Sequence, residues 1–400
     1  MTAATPRTTV GIIGAGPAGL LLARLLHRAG VDCVVLEHRD RDYVERRQRA
    51  GTLEQTTVDA LRDCGAGERL DREGLFLDGI ELRFGGRAHS IDFASLAGGR
   101  GVAVYPQTKV VQDLVGLQLA DGPPLLFEAR VHRVTGTDAD RPVIHYTYQG
   151  EERTVRCDYV AACDGSMGVG RQTVLDHGGR LFGRGYPYSW FGVLADVAPS
   201  CDTLLYAHSP SGFALHSMRS PTVSRLYLQV PNGTRAEDLA DEQIWDALYA
   251  RFEVDGDWKL RRGPITAKSV IPMRSEVVEP MRSGRLFLAG DAAHVMPPTG
   301  AKGLNLAVAD VLVLSRALID LLRHGRPALL DAYSDSSLRR AWQAEHFSWF
   351  MTRTMHLAPD QSPFDTRLQL AALDQLVSSP LATAEFAHSY VGQRLEGDHV

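Results

Sequence analysis

Along this chain, uncharged β-branched runs alternate with stretches whose apolar residues recur every three or four positions. Residues 8–13 (TTVGII) predict a fully buried parallel strand. They lead into GAGPAG at 14–19 and then a helical pattern, with Leu22, Leu25, Leu26 and Ala29 on one face, that stops at Gly30. Residues 32–36 predict a second buried strand, ended by Glu37. Residues 52–55 (TLEQ) read as a capping box opening a helix that stops at Gly65. Loose alternation over 79–93 and 131–159 predicts antiparallel strands, with a helical stretch after Val104-Tyr105-Pro106-Gln107-Thr108 between them. A buried strand over 158–162 ends in Cys163-Asp164-Gly165. From Phe182 the composition shifts to aromatic-rich alternation over 183–275, which predicts a mostly antiparallel inserted sheet carrying one amphipathic helix at 243–252.

The stretch 284–307 (GRLFLAGDAAHVMPPTGAKGLNLA) combines three elements. A short buried strand over 285–289 delivers Gly290-Asp291. Residues 297–303 follow as a loop without regular structure, because its prolines lack donors and its glycines tolerate unusual dihedrals. A long helix then begins, with Leu304, Val308, Val311, Leu312, Ser315, Leu318 and Leu322 at helical spacing. Its free N–H groups and positive dipole end would face the Asp291 turn, a geometry suited to a large anionic cofactor. The last quarter of the chain reads as chiefly helical.

Composition narrows the class. With 400 residues, 44% hydrophobic and 23% charged, the chain has ample apolar surface for two or three domains. A net charge of -5 argues against a dedicated nucleic-acid binder. Its five cysteines are scattered and never in CxxC spacing, which predicts reduced thiols and no metal site. No basic-then-apolar leader opens the chain, and Asp310, Arg316 and Asp320 interrupt its most apolar helix, so the expectation is a soluble, cytoplasmic protein.

The first chemistry lies in GAGPAG. Set between strand and helix, with an acid ending the next strand, it matches the dinucleotide fingerprint. Gly14 permits the tight turn, Gly16 lets the backbone approach a pyrophosphate, Gly19 lets helix and strand pack, and Glu37 accepts from a ribose. The charged segment 38–49 is either a solvated loop or a source of phosphate contacts from Arg46, Arg47 or Arg49.

Together GAGPAG, Glu37, CDG at 163–165 and RLFLAGDAAHVMPPTGAKGLN resemble the group A flavoprotein aromatic hydroxylases, and among them the 4-hydroxybenzoate hydroxylases. The likeness runs from about residue 10 to 392 and includes RAGTLEQ at 49–55, YPQT at 105–108, GFALHSMRS at 212–220 and SYVG at 389–392. It implies an α/β (α+β overall) fold: a Rossmann-like FAD-binding domain over 1–75, 98–182 and 276–325, an inserted antiparallel-sheet substrate domain over 76–97 and 183–275, and a helical C-terminal region over 326–400.

By the same resemblance, FAD contacts fall on Gly14, Gly16, Gly19, Glu37, Arg49, Gln107, Asp164, Asp291, Thr299, Gly303, Leu304 and Asn305, with Pro298 in the catalytic loop. Ser217, Arg219 and Tyr227 correspond to a clamp for the substrate carboxylate, a role that suits a guanidinium's paired donors. Tyr206 and Tyr390 correspond to the pair that takes the substrate's phenolic proton. NADPH or NADH and O2 would be co-substrates, with Tyr43, Arg47 and Arg274 towards the nicotinamide nucleotide. One oxygen atom would enter the ring ortho to the phenol. The partners implied are small molecules, with no nucleic acid or membrane; such families often form homodimers, which these residues do not demonstrate.

The chain departs from the family at Leu77, where a histidine usually connects the tyrosine pair to solvent. An amino-substituted ring such as 3-amino-4-hydroxybenzoate, being more electron-rich, needs less activation and is the alternative substrate, followed by another phenolic acid. Met167 and His38 stand where a histidine and an arginine are usual near the nicotinamide, which leaves NADPH against NADH open, with Arg46 and Arg47 favouring NADPH. No WxWxIP segment points to a halogenase. A non-catalytic FAD protein leaves the Ser217–Arg219–Tyr227 clamp without a role, and a simple NAD dehydrogenase leaves Gly290-Asp291 without one.

Overall fold

A computed structural model of the chain describes residues 6–47 and 51–392. The β-branched strand Arg7–Ile13 lies inside an eight-stranded sheet, parallel to Cys33–Leu36 on one side and to Glu151–Ala162 on the other. The short strand Leu286–Leu288 adds in parallel beyond Glu151–Ala162. Four strand ends thereby place Gly14, Glu37, Cys163-Asp164 and Gly290-Asp291 along one edge of the sheet, as expected for a doubly wound fold whose crevice opens at the carboxyl ends of its strands. Helices Pro17–Arg28 and Gly303–His324 pack on each other against this sheet, burying Leu20, Leu21, Leu22, Val308, Val311 and Leu318. Leu322, read as the last member of the apolar stripe, is 37% exposed, so the core face of the helix ends a turn earlier.

A second eight-stranded sheet gathers strands from both parts of the predicted insertion. Gly79–Phe84 and Arg87–Asp92 form a hairpin at its edge, joined by Leu204–Ser209, Gly212–Ser220, Val223–Pro231, Arg180–Ala195 and Ile265–Glu279. The sheet is antiparallel except where Leu204–Ser209 runs parallel to Gly79–Phe84, and its long strands reach back to Arg180 and on to Glu279, past the expected limits 183 and 275. Helix Asp241–Phe252 covers one face, and helices Tyr333–Met355 and Pro380–Val391 contribute to the apolar cluster on the other.

Two local readings are corrected. Thr52–Glu54 is a strand rather than a capping box; it pairs with Val102–Val104, and the helix Gln55–Asp63 starts behind Glu54 without a side-chain cap. Tertiary pairing of the backbone N–H groups overrides the local capping signal. Residues Pro298–Gly300, read as irregular, form one short 3-10 turn. Among the described residues no helix is long and apolar enough to cross a membrane, and no group of three or more His, Cys, Asp or Glu side chains is arranged to hold a metal.

Candidate active site

The glycine turn has the geometry its spacing implies. Gly14 has φ +100°, and a Cβ there would sit 2.5 Å from the Cys163 carbonyl oxygen. A Cβ on Gly19 would come within 1.9 Å of the Gly14 carbonyl, so the first helix rests directly on the turn. At Gly16 nothing lies within 4 Å of the Cβ position, leaving open space before a helix start that no side chain caps. Glu37 is buried behind the turn; its carboxylate accepts from Ala15 N at 2.7 Å and Arg39 N at 2.8 Å. An uncapped helix terminus, open space at the middle glycine and an acid at the next strand end fit an adenine dinucleotide. Gly19→Ala must move helix from turn, an overpacking cost of about 1–3 kcal/mol. FAD titration of the apoprotein is expected to show at least about tenfold weaker binding, and parent-like affinity would contradict this role.

The Asp291 turn is held from behind by residues that sequence reasoning did not single out. Arg171 donates to the carbonyls of Ala292 at 2.9 Å and Asp291 at 2.7 Å, and pairs with Glu276. The buried Asp310 carboxylate accepts from Gly290 N at 2.9 Å and meets His294 Nε2 at 2.7 Å. Burial opposes charge on His294, but the carboxylates around it, Asp310 foremost with Asp291 and Glu345, together raise the imidazole's pKa. The Asp291 side chain is left exposed at the front of the turn. The one sequence signal was Asp310 itself, a carboxylate on the apolar face of a core helix.

Asp164 caps the helix Val169–Asp176 with Oδ2, which accepts from Gly170 N at 2.9 Å. Burial raises its pKa to about 6 against the pull of these backbone donors. Its Oδ1 is buried without a protein partner, and beside the Gly14 turn that orphaned oxygen is an acceptor for a ligand's donor. Gln107 opens the helix Gln107–Asp121, half-buried at its start. Gly303 and Leu304 form the uncapped start of the long helix. Asn305 is turned the other way: its amide donates to Thr52 and Ala301 carbonyls and accepts from Glu54 N and Thr57, which consumes the side chain within the protein. Thr299 is fully buried and bonds Thr352. Arg49 lies outside the described residues.

A small cavity of about 50 Å³ brings Tyr206, Ser217, Arg219, Tyr227 and Pro298 together, from three strands of the second sheet and the 3-10 turn. Tyr206 aligns with Leu215 and Leu215 with Tyr227 across adjacent strands, so the two phenols stand two strands apart, roughly 10 Å. At one end, Tyr206 Oη and Tyr390 Oη are 2.7 Å apart, from residues 184 positions apart in sequence, and both rings are buried. Burial lifts Tyr206 to about 12, tempered by its bond to Tyr390; it lifts Tyr390 further. Behind Tyr390, the buried Lys302 donates to its carbonyl at 2.9 Å and to Glu54 Oε1 at 2.5 Å. At the other end stand Ser217, Arg219 and Tyr227, joined by Arg225, which pairs with Ser217 across the strands and lies 5.1 Å from the Tyr227 ring. Desolvation, then the Arg225 charge, lowers Arg219 to about 10. Ser217 Oγ donates to the Met218 carbonyl and Arg219 to Thr108 Oγ1 at 3.3 Å. Gly192 leaves room for the Tyr227 ring, which a Cβ there would approach to 2.9 Å. Leu77 is buried in the same apolar cluster as Tyr206 and Tyr390.

The residues expected near a nicotinamide fall into two groups. Tyr43 is 41% exposed, with Arg39 stacked over it at 4.7 Å and Arg47 at 5.9 Å. Arg274 instead pairs with Glu276 and Ser166, beside the exposed Met167. A wider cavity of about 680 Å³ among the C-terminal helices includes, of all the predicted residues, only Asn305.

Comparison with known proteins agrees with this architecture. Residues 7–348 match the FAD binding domain family. The chain is 43% identical over 388 residues to p-hydroxybenzoate hydroxylase of Acinetobacter baylyi, covering 97% of this chain and 96% of that protein. It is 27% identical to a probable NADH-specific resorcinol 4-hydroxylase of Rhodococcus jostii, over 92% of this chain and 68% of that one. Among solved structures, p-nitrophenol 4-monooxygenase of Pseudomonas putida superposes with a TM-score of 0.83 over 98% of this chain and 100% of its own; at 21% identity it supports the fold alone. Anhydrotetracycline hydroxylase of Streptomyces rimosus superposes with a TM-score of 0.76 at 25% identity, over 96% and 76% of the two chains. With a dinucleotide crevice on one sheet and a buried, polar-ended cavity on the other, the chain belongs to the FAD-dependent aromatic hydroxylases.

Proposed function

We propose that this hydroxylase acts on a 4-hydroxybenzoate-type phenolic acid, inserting one oxygen atom ortho to the phenol and consuming NAD(P)H and O2. The balance is one phenol, one NAD(P)H, one proton and one O2 giving one catechol, one NAD(P)+ and one water. The observation that carries the reading is the polarity of the small cavity: a cationic, hydroxyl-bearing end at Ser217, Arg219, Arg225 and Tyr227, and a phenolic end at Tyr206–Tyr390. A benzoate with a para hydroxyl has the matching polarity.

Arg219 would take the carboxylate, with Ser217 and Tyr227 as further donors. A carboxylate there would meet a partly desolvated guanidinium whose paired donors suit a two-point contact, beside the second cation Arg225. Tyr206 would meet the substrate phenol oxygen. As that phenol loses its proton to Tyr206, the Tyr206 hydroxyl would pass its own to Tyr390 and Tyr390 its own on to water, so that neither tyrosine is left charged. A phenolate is electron-rich at its ortho carbon, which is the position to be oxygenated. FAD, held by the Gly14–Gly19 turn, Glu37, Asp291 and the start of the long helix, would supply the redox chemistry that activates O2. Pro298 and Ala301 wall the ring's pocket on the loop side and help exclude water. Tyr43, with Arg39 and Arg47, would receive NAD(P)H, and two guanidiniums beside one ring favour the extra phosphate of NADPH.

A second reading, an amino-substituted ring such as 3-amino-4-hydroxybenzoate, is favoured by the apolar Leu77, which shares the buried cluster of the tyrosine pair. Coenzyme oxidation by the FAD-loaded enzyme separates the readings. Stimulation with an oxygenated product is expected for 4-hydroxybenzoate, and none for 3-hydroxybenzoate. Turnover only of the amino-substituted acid would select the second reading, and stimulation by neither para-phenolic acid would overturn both.

A further inference from the structure

Two walls of the small cavity belong to different elements, the second sheet and the Pro298–Gly300 turn, yet one helix end touches both. On the sheet side Trp190 lines the cavity and packs at a tilt against Tyr227, ring centres 4.8 Å apart. Its Nε1–H donates to His356 Nε2 at 2.6 Å. Nε2 must then carry a lone pair, which places the His356 proton on Nδ1, and Nδ1 lies 2.9 Å from the Thr352 carbonyl. Both bonds are satisfied by one neutral tautomer. Burial drives the imidazole pKa down to about 3, so this tautomer persists across the working pH range and His356 carries no proton traffic. Tyr188 and Phe213 stack on the ring, at 4.8 and 4.2 Å.

On the loop side the same helix, Tyr333–Met355, reaches the turn. Thr352 Oγ1 donates to Thr299 Oγ1 at 2.9 Å, and both residues are fully buried. A Cβ on Gly300 would stand 2.7 Å from Ser348 Oγ, so the turn lies against the helix. The helix end is itself fastened to the sheet: Gln229 donates to the Leu357 carbonyl and accepts from Leu357 N, and His208 Nδ1 meets the Met355 carbonyl at 3.2 Å.

We infer that Trp190, His356, Thr352 and Thr299 form a positioning bridge that fixes the spacing between the aromatic wall and the Pro298 turn, and with it the distance from the substrate ring to the cofactor. The inference deepens the proposed reaction and rests on it for its kinetic test. A hydroxylase whose ring is misplaced by a fraction of an ångström still oxidises coenzyme but loses the oxygen transfer. His356 and Thr352 are thus positioning residues, not catalytic ones.

Thr352→Val removes only the hydroxyl, and His356→Phe keeps the stacked ring while removing the acceptor. In the FAD-loaded enzyme both are expected to oxidise coenzyme, when substrate is present, within about twofold of the parent. The product formed per coenzyme oxidised is expected to fall at least threefold, the balance appearing as hydrogen peroxide. The double variant should be no worse than the poorer single one, because both break one bridge. A purely structural role would lower Tm and leave coupling unchanged. A second readout needs no substrate: in His356→Phe, altered only on the sheet side, amide exchange over residues 299–303 is expected to accelerate about tenfold. Parent-like coupling in both variants, or an unchanged loop in His356→Phe, overturns the bridge. If the parent hydroxylates no para-phenolic acid, the substrate reading falls and the exchange result alone decides the bridge.

Discussion

Arg219→Ala is expected to raise the KM for a para-hydroxybenzoate about 100-fold or more while leaving FAD bound. A hydrogen bond to a charged group contributes about 1.5–3 kcal/mol, and a bidentate contact to the half-buried Arg219 guanidinium loses two at once. The substitution also leaves the substrate carboxylate facing a desolvated pocket with Arg225 as its remaining nearby cation. Arg225 pairs across the strands with Ser217 and sits over the Tyr227 ring, so it restores charge but not the same fork. Arg219→Lys, which keeps a point charge and loses the planar donor pair, is expected to fall between the two. Steady-state kinetics and substrate titration of the FAD-loaded variants check this. An unchanged KM in Arg219→Ala would remove Arg219 from the clamp.

Tyr206→Phe is expected to lower the hydroxylation rate about 100-fold or more with little change in substrate affinity, the range over which positioned proton transfer acts. The substitution deletes the 2.7 Å bond to Tyr390 and the only phenol of the pair that lines the cavity. The pH dependence follows from the sign of the missing step. The reactive substrate is its phenolate, so without Tyr206 the rate should climb as pH rises toward the ordinary phenol range near 10, where solvent alone removes the proton. The parent should show the dependence less steeply, because the tyrosine pair ionises the bound phenol at lower pH. Rate measurements from pH 6 to 9 on both proteins distinguish the cases, and a parent-like rate and profile in Tyr206→Phe would contradict the proton path.

Much of this site was legible because its chemistry is written in short local motifs. GAGPAG needs glycine at position 14 for its positive φ and at position 19 for a 1.9 Å approach, and no other residue type serves. The Gly290-Asp291 turn and the helix start after Lys302 were equally local. The tyrosine pair was accessible only through resemblance, since residues 206 and 390 meet through folding and no periodicity joins them. What escaped sequence reasoning depends on contacts between distant elements. Asn305 stands at a helix start that faces the predicted site, but strand Thr52–Glu54 captures its amide. That strand in turn displaced the capping box, because pairing with Val102–Val104 outweighs a single cap. Arg171, His294 and His356 carry no local signature: each is a lone polar residue whose partners come from other elements, and only packing shows what it holds.

The most direct test of the proposed reaction is a turnover of the FAD-loaded enzyme with 4-hydroxybenzoate and NADPH under isotopically labelled O2, with the aromatic product identified by mass and by the position of its new hydroxyl. The predicted result is one labelled oxygen atom on the ring carbon next to the original phenol. Coenzyme oxidation that yields only labelled hydrogen peroxide, with 4-hydroxybenzoate recovered unchanged, would contradict it.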